Sequence, residues 1–207
     1  MKLSAAVAPA WDAQFANSRI HGETAQCELM REALRYCRLK RCAVDVGAHI
    51  GLWTRNLASR FEKVVAFEPV LENFECLQRN AFLPNVVAVN AALGALEQDC
   101  NMRMPEKGNS GCWHVAMGFE TRMETLDAHG LSDVDLIKLD VEGYEGAVIR
   151  GAYETIRASQ PVIVFEENGL GPRYFGAQWS DPKPILLSLG YTRRLRWYRD
   201  QIWTPAP

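Results

Sequence analysis

Two hydrophobic rhythms alternate along the middle of the chain. Short apolar runs at Cys42–Val46, Val64–Phe67, Val86–Val89, Leu136–Leu139 and Val162–Phe165 are rich in valine and hold few polar residues. Runs of that length and composition predict strands buried on both faces. Between them, Leu52–Phe61, Leu71–Phe82 and Glu145–Ile156 place apolar residues at helical spacing, which predicts helices packed on the sheet. A further helix is predicted over Glu23–Leu39, where Leu29, Ala33, Leu34 and Cys37 recur with Arg31, Glu32, Arg35 and Arg38 between them. Strands alternating with helices make an α/β fold: a mostly parallel sheet with helices on both faces.

Two stretches break the alternation. Residues Asp99 to Glu124 surround Gly108-Asn109-Ser110-Gly111 and predict an inserted pair of short strands joined by a tight turn. The tail Tyr191–Trp203 predicts a C-terminal antiparallel hairpin on the sheet edge, turning near Asp200-Gln201.

With 207 residues, 48% hydrophobic and 23% charged, the chain can bury one sizeable core and has little room for a second domain. One domain over residues 1–207 is expected, with 1–40 as a helical lead-in and 41–207 as the core. A net charge of -2, with acids and bases interspersed, gives no field to hold a phosphate backbone, so duplex nucleic acid is not an expected partner. The six cysteines form no C-x-x-C pair and sit in apolar or helical surroundings, which favours a reducing compartment. Met1–Trp11 is apolar, but Lys2 is its only cation and Pro9 breaks it, so it does not read as a signal peptide. No run approaches the length of a membrane span, and a cytoplasmic location is expected.

The candidate chemistry begins at Val44-Asp45-Val46-Gly47-Ala48-His49-Ile50-Gly51, which ends a buried strand in a carboxylate and places two glycines ahead of a helix. In open α/β sheets ligands bind at the carboxyl ends of strands, where glycine lets backbone approach and a helix start offers free N–H groups. A nucleotide-like ligand is expected there. The pyrophosphate fingerprint G-x-G-x-x-G has a glycine where this chain has His49, so a ligand with an adenosine and an amino-acid carboxylate suits the turn better. Phe67-Glu68-Pro69 follows about twenty residues later, at the position where such sheets hold ribose hydroxyls on a carboxylate.

In order along the chain, VDVGAHIGLWT, VVAFEPVLENFECLQRN, VNAALG, TLD and DLIKLDVEGYEGAVIRGA resemble the FkbM family of methyltransferases, over about Cys42 to Glu166. The resemblance implies a Rossmann-like class I methyltransferase fold, S-adenosylmethionine as donor, and usually O-methylation of a sugar, glycolipid or polyketide-type metabolite. It also implies a methionine-side loop at Asp45, Gly47, Ala48, His49 and Gly51, a ribose ligand in Glu68 beside Pro69, and an adenine edge at Ala91 and Ala92. His49 stands where the family more often shows asparagine.

The last of those motifs puts Asp140, Glu142 and Glu145 just beyond a strand, and Glu166 closes the next one. Methyl transfer from a sulfonium is an in-line displacement in which the acceptor oxygen loses its proton. Asp140 is placed to orient the donor or acceptor, Glu142 to reach the acceptor hydroxyl, and Glu166 to act as a third carboxylate at that edge. Asp140, Glu142, Glu166 and His49 offer oxygen and nitrogen ligands for a divalent ion, but their spacing is not that of a metal site and no metal is expected. Tyr174 and Trp179 are candidates for an acceptor-side lid. Arg193, Arg194, Arg196 and Arg199, set among Trp197, Tyr198 and Trp203, read first as the solvated side of an edge hairpin. The competing functions are an NAD-type oxidoreductase and a nucleotide-binding module without catalysis.

Overall fold

The computed structural model describes residues 28–104, 112–169 and 171–207. The chain divides into two units, Met1–Tyr36 and Cys37–Pro207. Of the first, residues 28–36 are described and form helix α1; the start of the helix predicted from Glu23 lies outside the described residues. The helix stops at Tyr36 rather than Leu39, and the Cys37 thiol donates to the carbonyl of Asp135 at 3.5 Å.

In the second unit, β1 (Cys42–Val46), α2 (Leu52–Ala58), β2 (Lys63–Phe67), α3 (Leu71–Asn80) and β3 (Val86–Val89) build one half of a seven-stranded sheet. The other half comes from β7 (Val134–Leu139), α4 (Glu145–Arg150), α5 (Tyr153–Ser159) and β8 (Val162–Glu166). Two final strands, β9 (Tyr191–Trp197) and β10 (Asp200–Pro205), close it in the order β3-β2-β1-β7-β8-β10-β9. The pairs from β3 to β8 are parallel, and β10 runs antiparallel to both of its neighbours. All five residues of β1 are buried, as an unbroken apolar run in a doubly covered strand requires. Val44, Val46, Phe67, Ile137, Leu139 and Phe165 join one core cluster with Tyr191 and Trp203 of the hairpin; Ala48, Ala66, Leu77 and Ala81 form a separate cluster. Each fully buried large side chain contributes about 1.5 to 3 kcal/mol, so the central strands are the most firmly anchored part of the fold.

The helix predicted over Glu145–Ile156 is two helices. The break falls at Gly151, where a Cβ would lie 1.9 Å from the carbonyl oxygen of Gly94, so the chain must pass that backbone without a side chain. Asp127, in a short 3-10 turn (Asp127–His129), then caps the second helix by accepting from the backbone N–H groups of Glu154 (3.1 Å) and Thr155 (2.8 Å). The C-terminal hairpin turns at Tyr198-Arg199, two residues before the predicted Asp200-Gln201, because Trp197 pairs with Asp200 and Tyr198 takes the left-handed conformation (φ 54). Its four arginines are solvent-exposed.

The insertion is a second sheet of β4 (Ala92–Leu93), β6 (His114–Glu124) and β5 (Gln98–Arg103), in the order β4-β6-β5. Its predicted turn at Gly108–Gly111 lies outside the described residues. The register jumps from Asn101↔Ala116 to Cys100↔Thr121, so residues 117–120 bulge out of β6. Three short helices, α6 (Gly171–Phe175), α7 (Ala177–Ser180) and α8 (Lys183–Ser188), link β8 to β9. Among the described residues no helix is long and apolar enough to cross a membrane.

Candidate active site

From β1 the chain runs outward to β2 and β3, then returns to lay β7 on the other side of β1. The carboxyl ends of β1 and β7 therefore flank the topological switch point, where open α/β sheets bind their ligands.

The turn after β1 is set by backbone bonds. Gly47 and Ala48 both donate to the carbonyl of Phe67 at 3.0 Å, and Asp140 donates to that of Val46 at 3.0 Å. Gly47 (φ 73), His49 (φ 52) and Gly51 (φ 89) are all left-handed. Among residues with a side chain, asparagine, aspartate and histidine adopt that conformation most readily, which accounts for a histidine at position 49. The two glycines serve internal packing. A Cβ on Gly47 would lie 1.9 Å from the Asp140 carbonyl oxygen, and one on Gly51 2.9 Å from Leu77 Cδ1.

Under this turn Asp45 is fully buried. Its Oδ2 accepts from the Thr54 hydroxyl at 2.6 Å, and its Oδ1 makes no hydrogen bond but faces Lys138 Nζ at 3.4 Å. The same ammonium donates to the Gly47 carbonyl at 3.2 Å, lies 3.4 Å from Asp140 Oδ2, and sits over the Trp53 ring at 5.9 Å. Burial pushes the Lys138 pKa down, but Asp45 and Asp140 outweigh it and hold it above the ordinary lysine value. Lys138 is a site residue that motif reasoning passed over, although a lone cation inside the run Leu136–Leu139 was visible.

Glu68 is buried and spoken for on both oxygens. Oε2 accepts from the His49 N–H at 2.8 Å, and Oε1 from the Val70 N–H at 3.0 Å and Asn73 Nδ2 at 3.4 Å. Burial raises its pKa to about 7 against the pull of those donors. A carboxylate offers about four acceptor positions, so a bidentate contact with two hydroxyls requires the long Asn73 bond to yield.

A cleft of about 90 Å³ opens here, lined on the main sheet by Val46, Gly47, His49, Phe67, Glu68 and Pro69. Ala91, Asn73, Asp140 and Val141 continue the lining, and Ala92, Leu93, Met102 and Val115 of the inserted sheet close it with Trp113, just ahead of β6. Of the predicted donor residues, Gly47, His49, Glu68, Pro69, Ala91, Ala92 and Asp140 line this cleft, whereas Asp45, Ala48 and Gly51 support it from behind. Ligand pockets typically span about 300 to 1,000 Å³, and this cleft is smaller; outside the main sheet it is bounded by Ala92 and Leu93 of β4 together with Met102, Trp113 and Val115.

At the Asp140–Val141 rim, Asp140, Glu142 and Glu166 each bring an acidic oxygen within 4.8 Å of the others; His49 does not join them. Burial, then Asp140, then Glu166 raise the pKa of Glu142 to about 7; Arg199 and the Asn168 amide, which donates to Glu142 Oε2 at 2.8 Å, pull it back. Burial, then Asp140 and Asp200, raise Glu166 likewise to about 7, against Arg199 and Lys138. Asp200, paired across the strands with Glu166, rises to about 6 through burial and Asp140. Such oxygens suit a divalent ion or a shared proton. Glu142 holds its place in a left-handed turn (φ 53) clamped by the buried Glu145, whose Oε1 accepts from the N–H groups of Val141 (3.3 Å) and Gly143 (3.2 Å). The two candidate lid residues part company: Tyr174 stacks on His114, with ring centroids 4.4 Å apart, while Trp179 lies against Arg150 at 5.4 Å.

Residues 45–195 match the methyltransferase FkbM domain. "Methyltransferase 1" of Beauveria bassiana (strain ARSEF 2860) is 30% identical over an alignment covering 52% of this chain and 57% of that protein. In fold, the chain resembles the crystal structure of methyltransferase FkbM from Methylobacillus flagellatus KT (TM-score 0.55, 18% identity, 80% of this chain and 43% of that one). Precorrin-6y C5,15-methyltransferase from Geobacter metallireducens GS-15 shares the fold at a TM-score of 0.50 and 15% identity, over 86% of this chain and 87% of that one. The chain spans about half the length of the first two relatives. The family match takes in both strand ends of the switch point and the carboxylates between them: the chain belongs to the FkbM family of methyltransferases.

Proposed function

We propose that the chain transfers a methyl group from S-adenosylmethionine to a hydroxyl of a small metabolite, sugar or glycan. S-adenosylmethionine is the donor of the methyltransferase family, and the cleft offers a partner for each of its parts. Glu68 takes ribose hydroxyls, Ala91, Ala92 and Leu93 give the base an apolar slot, and Asp140 faces the amino-acid end. When bound, the donor supplies a methyl carbon on a sulfonium centre.

The observation that carries the reading is the meeting of Asp140, Glu142 and Glu166 at the rim of that cleft. A carboxylate with a pKa of about 7 is ionised often enough at neutral pH to accept a proton and basic enough to want it. The acceptor hydroxyl gives its proton to Glu142, with Glu166 the alternative, while its oxygen bonds to the methyl carbon and the carbon–sulfur bond breaks with its electron pair left on sulfur. Asp140, tethered through Lys138 to the turn after β1, orients the two reactants.

Calorimetric titration with S-adenosylmethionine, S-adenosylhomocysteine and NAD, followed by transfer of labelled methyl to a panel of hydroxylated acceptors, tests this directly. Donor and product bind and NAD does not. Binding of NAD alone overturns the donor assignment, and transfer to amines in preference to hydroxyls overturns O-methylation.

A further inference from the structure

Beyond the donor cleft, a groove of about 470 Å³ lies between the inserted sheet and α6. Val115 lines both spaces, so they share a wall. Tyr144, two residues after Glu142, lines the groove as well. Facing it are Tyr174 and Phe175 of α6. Gly171, at the start of that helix, would put a Cβ 2.5 Å from the Gly143 carbonyl oxygen, so α6 is seated directly on the motif that carries Glu142. The aromatic wall and the candidate base thus form one construction.

The opposite rim is the β6 bulge. Met117 and Phe119 are 95% and 90% exposed, where large apolar side chains normally find cover. The bulge is pinned: the Glu120 N–H donates to Asn101 Oδ1 at 3.0 Å, and a Cβ on Gly118 would lie 2.0 Å from that same oxygen. A thioether and a phenyl ring are thereby held out beside a groove whose wall already pairs rings edge to face. Tyr144 and Phe175 stand 4.7 Å apart at 63°, and Tyr174 and Phe175 6.1 Å apart at 60°.

The geometry points to this groove as the acceptor subsite, taking a flat, uncharged aromatic ring system that bears the reacting hydroxyl. The purpose assigned to the groove rests on the methyl-transfer reading above; its ligand chemistry rests on the groove itself. Rings offered edge and face reward another ring beyond the area it buries. The polar side-chain groups of the lining are those of Gln98 and Asp99 and the hydroxyls of Tyr144 and Tyr174, which can meet a phenolic hydroxyl on such a ring, and Asp99 repels a phosphate or carboxylate. The shared Val115 joins the groove to the donor cleft, and Tyr144 of its wall follows Glu142 by two residues in the chain.

The probe is 2-naphthol, titrated by its fluorescence against protein with and without saturating S-adenosylhomocysteine, beside octyl glucoside as an acyl and glycan competitor. Phe119→Ala and Tyr174→Ala alter side chains that are at least partly exposed, and circular dichroism checks that both variants fold. We expect 2-naphthol to bind and each variant to weaken it about fivefold, the size of a lost ring contact, with affinity for S-adenosylhomocysteine unchanged. Octyl glucoside binding more tightly than 2-naphthol, or folded variants that bind 2-naphthol like the parent, overturns the aromatic subsite. Failure of S-adenosylhomocysteine to bind overturns the methyl-transfer reading instead, and the 2-naphthol titration then still decides the chemistry of the groove.

Discussion

Replacing Lys138 with methionine keeps the length and apolar stem of the side chain and removes the charge between β1 and β7. Lys138 Nζ lies 3.4 Å from both Asp45 Oδ1 and Asp140 Oδ2. At that distance each pair is worth about 5 kcal/mol of attraction with an effective dielectric of about 20. Asp140 is 41% exposed and its share is screened by water, whereas Asp45 is wholly buried and its share is not. Desolvation of the ammonium offsets much of the gain, so what the substitution reveals is the cost of stranding Asp45, about 3 to 5 kcal/mol. For a chain of this length that lowers Tm by about 10 °C. Asp45→Asn keeps an acceptor for the Thr54 hydroxyl and removes the stranded charge, so the double variant should be more stable than the sum of the two single losses by more than about 1 kcal/mol. Thermal and urea unfolding of the four proteins, followed by circular dichroism, measure the cycle. Strict additivity, or a Lys138→Met variant within about 1 kcal/mol of the parent, refutes the account of Lys138 as the counter-charge of Asp45.

Glu68→Ala should weaken donor binding by about 10- to 100-fold in calorimetry and also lower Tm, since it strips the His49 and Val70 N–H groups of their acceptor; unchanged donor affinity removes Glu68 from the site. Glu142 and Glu166 hold protons in the folded protein up to about pH 7 that the unfolded chain releases near 4.5. Their contribution to stability is therefore lost as pH rises from about 4.5 to 7, while the transfer rate climbs through the same window. Glu142→Gln and Glu166→Gln should each flatten the stability profile, and the one that abolishes the rate limb names the base; a limb surviving both excludes the pair. Asp127→Ala should cost about 1 to 2 kcal/mol in chemical unfolding by uncapping α5 and leave donor affinity alone; a change in donor affinity contradicts a purely structural cap.

The strands were legible because doubly covered strands need continuous apolar runs, and the turn after β1 because glycines cluster where the backbone turns left-handed. The reason for those glycines was not legible: the space beside Gly47 is taken by Asp140, more than ninety residues away in the chain. The break at Gly151 was hidden in the same way, since the carbonyl that forces it belongs to Gly94. Of the carboxylates, Glu142 and Glu166 were readable as strand-end acids. Asp200 was passed over because only the antiparallel pairing of β10 with β8 brings it opposite Glu166. Periodicity could not assign faces to the inserted sheet, so Met102 and Trp113 did not stand out as walls of the cleft.

The touching backbones of Gly47 and Asp140 mean that the turn after β1 and the turn after β7 cannot drift apart through small, separate sequence changes. Any side chain at position 47 must shift the peptide that follows β7, and with it Asp140 and the clamp that sets Glu142. On the proposed reading, descendants of such a chain explore new acceptors mainly at exposed positions of the β6 bulge such as Met117 and Phe119, where a substitution reshapes a wall without touching the reacting centre. Diversity of substrate and constancy of chemistry would then be two results of a single atomic contact.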